Sequence, residues 1–186
     1  MKKGQVWVET VIYTLIGLSL IGIVLAVVTP KINEYKDRAL IEQTIEALNI
    51  MDSKMTEVIR EGPGNKRVVD MRVRRGSLFF DLDNDEIIFE LNDSRALYSE
   101  PGVPVEIGRI AILTTEGNTR NSVRLSIDYQ SNIKMNRRGE NSINSGIEKF
   151  TAASTPYRFL LSNEGIEEGS FEEEAKEIII IEEAKG

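Results

Sequence analysis

Three aspartates at alternate positions, Asp81, Asp83 and Asp85, have the spacing of oxygen ligands in a calcium-binding EF-hand loop. Such a loop needs a glycine at its sixth position and a glutamate at its twelfth, where this chain has Glu86 and Asn92. The flanking residues alternate between apolar and polar as in β-strands, whereas an EF-hand has helices there. We therefore predict that the aspartates form a turn and that the sequence holds no metal site.

The chain contains no cysteine and no histidine. Disulfides, thiolate nucleophiles and cysteine-ligated zinc are therefore excluded, and the commonest general base is missing. Carboxylate, lysine and tyrosine chemistry stay open, but no nucleophile elbow or phosphate-binding loop is present. These observations predict that the protein is not an enzyme and uses no cofactor. The net charge of −7 argues against nucleic acid as a partner.

A single acid, Glu9, precedes an uncharged run from Val11 to Val28. At about 1.5 Å per residue this run spans roughly 27 Å, close to the hydrocarbon thickness of a bilayer. A buried helix of a soluble protein rarely contains so long an apolar run. A secretory signal has a core of about 7–15 residues and then a small-x-small cleavage site, which the segment from Leu25 to Pro30 lacks. The run is therefore predicted to span a membrane.

Lys2 and Lys3, then Gly4 and Gln5, come before the apolar run, with Glu9 at its entrance. This arrangement resembles the class III signal peptide of type IV prepilins, in the archaeal variety that has glutamine at the cut. The resemblance covers about residues 1–60. It implies that a prepilin peptidase cuts between Gly4 and Gln5 on the cytoplasmic side, with Lys3, Gly4 and Gln5 as the processing residues. Glu9 then lies at the position where the family carries its glutamate.

Glu9 also has a physical reason to need a partner. An unpaired acid drawn towards the middle of a bilayer costs about 2.5–3.5 kcal/mol. Cleavage would create a cationic amine on Gln5, and staggered helices in a filament would bring this amine to the Glu9 of a neighbouring subunit. We predict that Gln5 and Glu9 together set the axial register of subunit assembly. The alternative is that Glu9 lies hydrated at the headgroup level and has no such role.

Beyond Pro30 the pattern becomes amphipathic. Apolar residues recur at spacings of three or four and predict one buried helix face: Ile32, Tyr35, Ile41, Ile45, Leu48, Met51, Met55 and Val58. Asp52 is assigned to the opposite, polar face. Pro30 is expected to kink or interrupt the helix, and the Gly-Pro-Gly sequence at 62–64 to end it. A helix from Gln5 to Glu61 would be about 85 Å long. A heptad coiled coil is the alternative for its second half.

From Arg67 onward the apolar residues alternate with a period of two, which predicts strands. A two-residue turn at 84–85 would pair three apolar residues of one strand with three of the next: Leu82 with Ile87, Phe80 with Phe89, and Leu78 with Leu91. Further strands are predicted at 105–113, 123–129, 157–161 and 178–181, and an exposed loop at 136–155. The predicted fold class is α+β, a long N-terminal helix packed on an antiparallel β-sheet domain.

The predicted organisation is a signal peptide at 1–4, a transmembrane and filament-core helix at 5–29, an amphipathic helix at 30–61 and an extracellular antiparallel β domain at 62–186. The resemblance implies a major or minor structural subunit of a type IV pilus-like filament. It further implies as partners the prepilin peptidase, other pilin subunits, the pilus assembly platform and membrane lipid. The precursor would be membrane-anchored with its N-terminus in the cytoplasm, and the mature protein would lie at the cell surface.

Two further hypotheses concern the part outside the membrane. Asn92, Asp93 and Ser94 match the acceptor pattern for glycosylation at Asn92. The alternative function is that of a single-pass, membrane-anchored extracellular binding module that is not assembled into filaments. This alternative predicts an intact Met1 in membranes, whereas the filament hypothesis predicts a chain that starts at Gln5.

Overall fold

The structure, a computed structural model, describes residues 3–129, 133–136, 146–167 and 176–184. It consists of one long helix, α1, followed by β-strands that form two sheets. The helix spans Lys3–Glu61. The strands are β1 Lys66–Met71, β2 Ser77–Asp81, β3 Glu86–Ser94, β4 Val105–Ile107, β5 Ile110–Thr115, β6 Asn121–Asp128, β7 Ile133–Asn136, β8 Ile147–Thr151, β9 Tyr157–Glu167 and β10 Lys176–Glu183.

The helix α1 continues through Pro30 without interruption. The break considered from the sequence is therefore not found. A proline removes only one backbone donor from the helix, and its fixed φ is itself helical. Helix α1 ends where the sequence predicts, because Gly62 and Gly64 have φ values of 81° and 87°, which favour glycine. The side chain of Asn65 donates a hydrogen bond to the carbonyl of Glu61 at 2.7 Å and so satisfies one free acceptor of the helix end.

The buried face of α1 is shorter than its sequence pattern predicts. Six of the eight predicted residues are buried: Ile41, Ile45, Leu48, Met51, Met55 and Val58. The other two, Ile32 and Tyr35, are 46% and 71% exposed, so the prediction was wrong for them. The β domain covers the helix only as far as Asp37, which is the first buried residue of α1 from Trp7 onward. We call residues 62–184 the head domain and residues 37–61 the covered half of α1.

The strands form a four-stranded sheet, in the order β1-β9-β10-β7, and a six-stranded sheet, in the order β4-β5-β6-β3-β2-β8. Neighbouring strands are antiparallel except β7 and β10, which are parallel. The predicted sheet is therefore mixed at this edge. A parallel pair requires a long connection between its strands, and the chain provides one because β8 and β9 lie between β7 and β10.

The hairpin of β2 and β3 has the predicted face but not the predicted register. Phe80 pairs with Ile87, and Leu78 with Phe89, so the register differs from the prediction by two residues. The loop contains four residues because the Asp81 carboxylate accepts hydrogen bonds from the backbone N–H groups of Asp83 and Asn84, at 3.1 and 3.0 Å. A shift of two residues preserves the facing of every side chain, and all six predicted apolar residues are buried.

Two other segments differ from the predictions. The segment predicted as one strand at 105–113 forms β4 and β5, which pair with each other across a turn at Gly108, whose φ is 63°. The predicted loop at 136–155 contains β8, which pairs with β2 at the edge of the larger sheet. Residues 137–145 of that loop lie outside the described residues. The strands predicted at 123–129, 157–161 and 178–181 correspond to β6, β9 and β10.

One apolar core joins the covered half of α1 to both sheets. Phe80 of the larger sheet meets Phe159 of the smaller sheet edge to face, with ring centroids 5.0 Å apart. Phe150 lies beside both rings, at 5.6 Å from Phe80 and 5.0 Å from Phe159. The helix contacts β1 and β9 of the smaller sheet and β5 of the larger one. The predicted α+β class is confirmed.

Candidate functional site

The N-terminal half of α1 is the first candidate site, because it is apolar and uncovered. One helix in the described part of the chain is long and apolar enough to cross a membrane, with a mean hydropathy of 2.7 in its most apolar window, and none of that window is buried. Trp7 and Tyr13 near its start are 73% and 72% exposed. An exposed apolar surface of this extent is typical of a site that meets lipid or another protein. We call residues 7–30 the bare half of α1.

Three hydroxyl groups of the bare half are hydrogen-bonded within the helix. The hydroxyl groups of Thr14, Ser19 and Thr29 donate to the backbone carbonyls four residues earlier, at 2.8, 2.8 and 2.7 Å. Such bonds remove the need for water around a hydroxyl group. These three hydroxyl groups can therefore enter an apolar environment already hydrogen-bonded.

The predicted processing residues Lys3, Gly4 and Gln5 are the first residues of α1. Met1 and Lys2 lie outside the described residues. Glu9 follows on the next turn and is exposed. The geometry thus places Glu9 on the bare half, away from the head domain, where its carboxylate is open to another molecule. The roles of Gln5 and Glu9 in assembly stay predictions.

A polar cluster holds the helix to the edge of the head domain nearest the bare half of α1, which we call its lower edge. Asp37 is 3% exposed, and its two carboxylate oxygens accept from Arg75 Nη1 at 2.5 Å and from the backbone N–H of Arg95 at 2.7 Å. The other terminal nitrogen of Arg75 donates to the carbonyl of Asp93 at 2.9 Å. Arg120 approaches the Asp93 carboxylate at 3.1 Å. We call Asp37, Arg75, Asp93, Arg95 and Arg120 the neck cluster.

A second polar cluster fixes the middle of the covered half. The Asp52 carboxylate accepts from the Tyr129 hydroxyl at 2.7 Å and from Arg109 Nη1 at 3.0 Å. The Arg109 guanidinium lies over the Tyr129 ring, 4.7 Å from its centroid. Burial, reinforced by the bond to Asp52, raises the pKa of Tyr129, so its phenol stays protonated as a donor. Asp52 was assigned to the polar face, and this was wrong, because it faces β5 and β6.

A third contact holds the end of the helix. The side chain of the buried Asn163 donates to the carbonyl of Val58 at 3.3 Å and to the Glu177 carboxylate at 2.6 Å. The backbone N–H of Gly64 donates to the carbonyl of Asn163 at 2.8 Å. Sequence reasoning missed all three contacts. For two of them the spacing along the helix is a local signal. Asp37 precedes Ile41 by four residues and Asp52 follows Leu48 by four, which places both acids on the apolar face.

The three aspartates of the β2–β3 turn bind backbone groups. Asp81 holds the turn itself, and Asp83 accepts from the N–H of Gly146 at 3.0 Å. Asp85 is buried, has a φ of 52° and accepts from the N–H of Met135 at 2.7 Å. Burial raises the pKa of its carboxyl group. Among the described residues, no group of three or more acids lies close enough together to hold a metal ion.

Asn92 lies in β3 with its side chain exposed, and its Oδ1 accepts from the Ser122 hydroxyl at 2.7 Å. Ser94, the third residue of the acceptor pattern, is buried and its hydroxyl donates to the carbonyl of Ala96 at 3.1 Å. Asp93 between them has a φ of 76° at an irregularity in the β3–β6 pairing. Glycosylation at Asn92 stays a prediction.

Comparison of this chain with protein-family models, with curated proteins and with solved structures gave no match. A long N-terminal apolar helix, of which one half packs on a β-sheet domain, is consistent with the shape of a pilin. The bare half of this helix is able to anchor the chain in a membrane.

Proposed function

We propose that this chain is a structural subunit, major or minor, of an extracellular type IV pilus-like filament. The observation that carries the proposal is the division of α1, whose covered half completes the core of the head domain while its bare half buries nothing in this chain. A helix half with this composition needs an apolar environment from outside the chain. Lipid would supply it before assembly, and the bare halves of neighbouring subunits would supply it afterwards.

The sequence at the start of α1 supports a change between these two environments. A prepilin peptidase would cut between Gly4 and Gln5, which leaves a charged amine at the end of the bare half. In a filament this amine would pair with the exposed Glu9 of a neighbouring subunit, so that neither charge stays alone in an apolar surrounding. An assembly platform would move the subunit from lipid into the filament. The head domain would then lie outside the cell and form the filament surface.

The proposal assigns a structural role and no catalytic residue. The polar groups between α1 and the strands, including Asp37, Asp52 and Tyr129, hold one element to another by hydrogen bonds. Tyr129, whose pKa is raised by burial, is a poor proton carrier near neutral pH. These contacts support a structural role in which the head domain stays firmly attached to the helix.

The first experiment is to determine the N-terminus of the protein recovered from native cells by intact mass. A start at Gln5 is expected and would support processing by a prepilin peptidase. A start at Met1 would contradict the filament proposal and favour a membrane-anchored binding module. A start beyond Ala26 would contradict both, because the bare half would have been removed.

The second experiment compares Glu9→Ala with Glu42→Ala in cells that make the filament. Both acids are exposed on α1, but Glu42 lies on the covered half, where it pairs with Arg38. We expect both variants to be processed and only Glu9→Ala to lose filaments, as seen by electron microscopy of sheared material. Normal filaments from Glu9→Ala would show that Glu9 does not set the register. Loss in both variants would mean that filament assembly is sensitive to acids along the whole helix.

A further inference from the structure

A cleft of about 250 Å³ opens beside α1 at the lower edge of the head domain. Its walls combine the neck cluster with two residues from the last turn of α1 before it, Asn33 and Lys36. The cleft is therefore formed by segments that are far apart in the sequence and meet only where the head domain begins. Four cations and two carboxylates line it, so the cleft is locally positive in a chain with a net charge of −7.

The charged groups of the cleft fall into two sets. Arg75 and Arg120 are held by Asp37 and Asp93, as described above. Lys36 and the side chain of Arg95 have no hydrogen bond or ion pair within the described residues, and both are exposed. Two cations are thus free on the rim, beside two guanidinium groups that are fixed in place. Such an arrangement presents several donors to one anion, and guanidinium groups match the oxygens of a phosphate especially well.

The position of the cleft along α1 suggests the source of that anion. Residues 10–30 carry no charged side chain and span about 31 Å, which matches a hydrocarbon core of about 30 Å. Counted from Pro30, Asn33 lies about 4.5 Å and Lys36 about 9 Å further along the helix. The headgroup layer of one leaflet is about 5–8 Å thick. When the bare half spans a bilayer, the cleft lies at the outer limit of the headgroups.

We propose that this cleft binds the phosphate group of an anionic lipid headgroup in the leaflet on the side of the head domain. The inference rests on the proposed function in one respect, namely that the bare half lies in a bilayer before assembly. Lys36 contributes to this site from α1 and Arg95 from the head domain, so that the phosphate lies between the two. The bound lipid fixes the head domain at a defined height and tilt against the membrane, a contact that the subunit gives up when it enters a filament.

The test uses the full chain in a nonionic detergent and counts bound lipid by native mass spectrometry. Equal amounts of phosphatidylglycerol and phosphatidylcholine are added, and we expect one phosphatidylglycerol to be retained preferentially. In the double variant Lys36→Gln/Arg95→Gln, we expect the preference to fall roughly fivefold for each cation removed. Neither side chain has a partner in the described residues, so the variant should unfold at the same temperature as the wild type.

Two matched variants separate a site from general attraction. Lys31→Gln removes a cation that lies nearer the membrane but outside the cleft, and Arg60→Gln removes one at the far end of α1. Both should keep the preference for phosphatidylglycerol. An equal loss in Lys31→Gln would overturn the proposal in favour of diffuse attraction to an anionic surface. An unchanged preference in the double variant would also overturn it.

Inorganic phosphate, added at constant ionic strength, distinguishes the two sources of the anion. Retention of phosphatidylglycerol supports the lipid assignment, whereas its displacement by phosphate at similar concentration would overturn that assignment. Flotation of the same protein with vesicles of phosphatidylcholine alone tests insertion independently of the cleft. A chain that floats but shows no preference refutes the cleft proposal only. A chain that does not float contradicts the proposed function itself.

Discussion

The two halves of α1 belong to one continuous helix but meet opposite conditions. Along the covered half, residues such as Leu48 and Met51 are wholly buried against the head domain. Along the bare half, residues of the same kind, such as Leu18 and Ile23, are 67% and 62% exposed. The first half finds its apolar environment within the chain, whereas the second half depends on another molecule. The comparison shows that apolar composition determines what a helix must bury but not where it buries it.

The two halves also differ in the hydrogen-bond partners of their acidic side chains. The covered half buries the Asp37 carboxylate against an arginine and a backbone N–H group, and holds Asp52 with an arginine and a tyrosine. The bare half leaves Glu9 exposed. A buried carboxylate is tolerated only where donors surround it, and the head domain provides them. Glu9 lies away from these donors, and in the proposed filament it obtains one from a neighbouring subunit.

We expect the greatest loss of stability from a substitution in the apolar core of the covered half. Leu48→Ala should lower the free energy of unfolding of the head domain by about 2–5 kcal/mol, because it opens a cavity at a residue with 0% exposure. Leu18→Ala, the matched change on the bare half, should leave it unchanged. Urea unfolding of the full chain in a mild detergent, followed by the circular dichroism of its tyrosines, measures both. Equal losses in the two variants would mean that the bare half packs on the head domain.

The next effect concerns the neck cluster. Arg75→Ala should lower the stability of the head domain by about 1.5–3 kcal/mol, because the buried carboxylate of Asp37 then keeps only one donor. The Arg75 side chain is itself 45% exposed, so the lower part of that range applies. Arg158→Ala, which breaks an exposed pair with Asp70, serves as the control and should cost clearly less, because water screens this pair. Similar costs for the two variants would show that burial of Asp37 adds nothing.

A smaller effect is expected at the Asp52 cluster. Tyr129→Phe removes a buried donor from Asp52, which still holds Arg109, and should cost about 1–1.5 kcal/mol. Tyr157→Phe removes a hydroxyl bond to the carbonyl of Thr151 that is exposed to water, and should cost less. Thermal unfolding of the two variants in the same detergent compares them directly. A larger loss in Tyr157→Phe would contradict the assignment of Tyr129 as a link between helix and sheet.

The smallest effect is a difference in pH dependence. Burial raises the pKa of Asp85 in the folded state, so protonation favours the fold. The stability of the wild type relative to Asp85→Asn should therefore fall as the pH rises from about 3.9, the ordinary value for Asp, through the raised pKa. Asparagine keeps the acceptor for the N–H of Met135 and tolerates the positive φ of this position.

Asp70 provides the control of opposite sign. The Arg158 guanidinium lowers the pKa of Asp70, so its contribution is present above about 3.9 and is lost as the pH falls below that value. Urea unfolding of Asp85→Asn and Asp70→Asn between acid and neutral pH should give relative slopes of opposite sign. Slopes of the same sign would show that Asp85 does not titrate as a buried group.

Much of this architecture was predictable from local pattern. The apolar run and the three-to-four spacing predict α1, and the Gly-Pro-Gly sequence predicts its end, because these signals depend on neighbouring residues only. Alternation along β2 and β3 correctly predicts that Phe80 and Phe89 face the core. The hairpin register was not predictable in the same way. It depends on hydrogen bonds from the backbone of the turn to the Asp81 side chain, which lengthen the loop from two residues to four.

Part of the candidate site could likewise be predicted from local sequence, and part of it could not. The residues of the bare half and Glu9 could be named from the sequence, since their chemistry depends on composition and order along one helix. The neck cluster and its cleft could not, because Lys36, Arg75, Arg95 and Arg120 come from separate segments. Periodicity carries no information about which distant segments meet.

Local sequence patterns were sufficient to predict a long helix, apolar at first and amphipathic later, with a strand-rich domain after it. The tertiary structure was needed to show that the strands form two sheets and that β7 and β10 are parallel. It was also needed to show that the head domain covers α1 only from Asp37 onward and leaves Ile32 and Tyr35 exposed. The two kinds of feature differ in the sequence separation of the contacts that determine them. Helix and strand periods arise from contacts between near neighbours, whereas sheet order and the lower edge of the head domain depend on contacts between residues far apart in the chain.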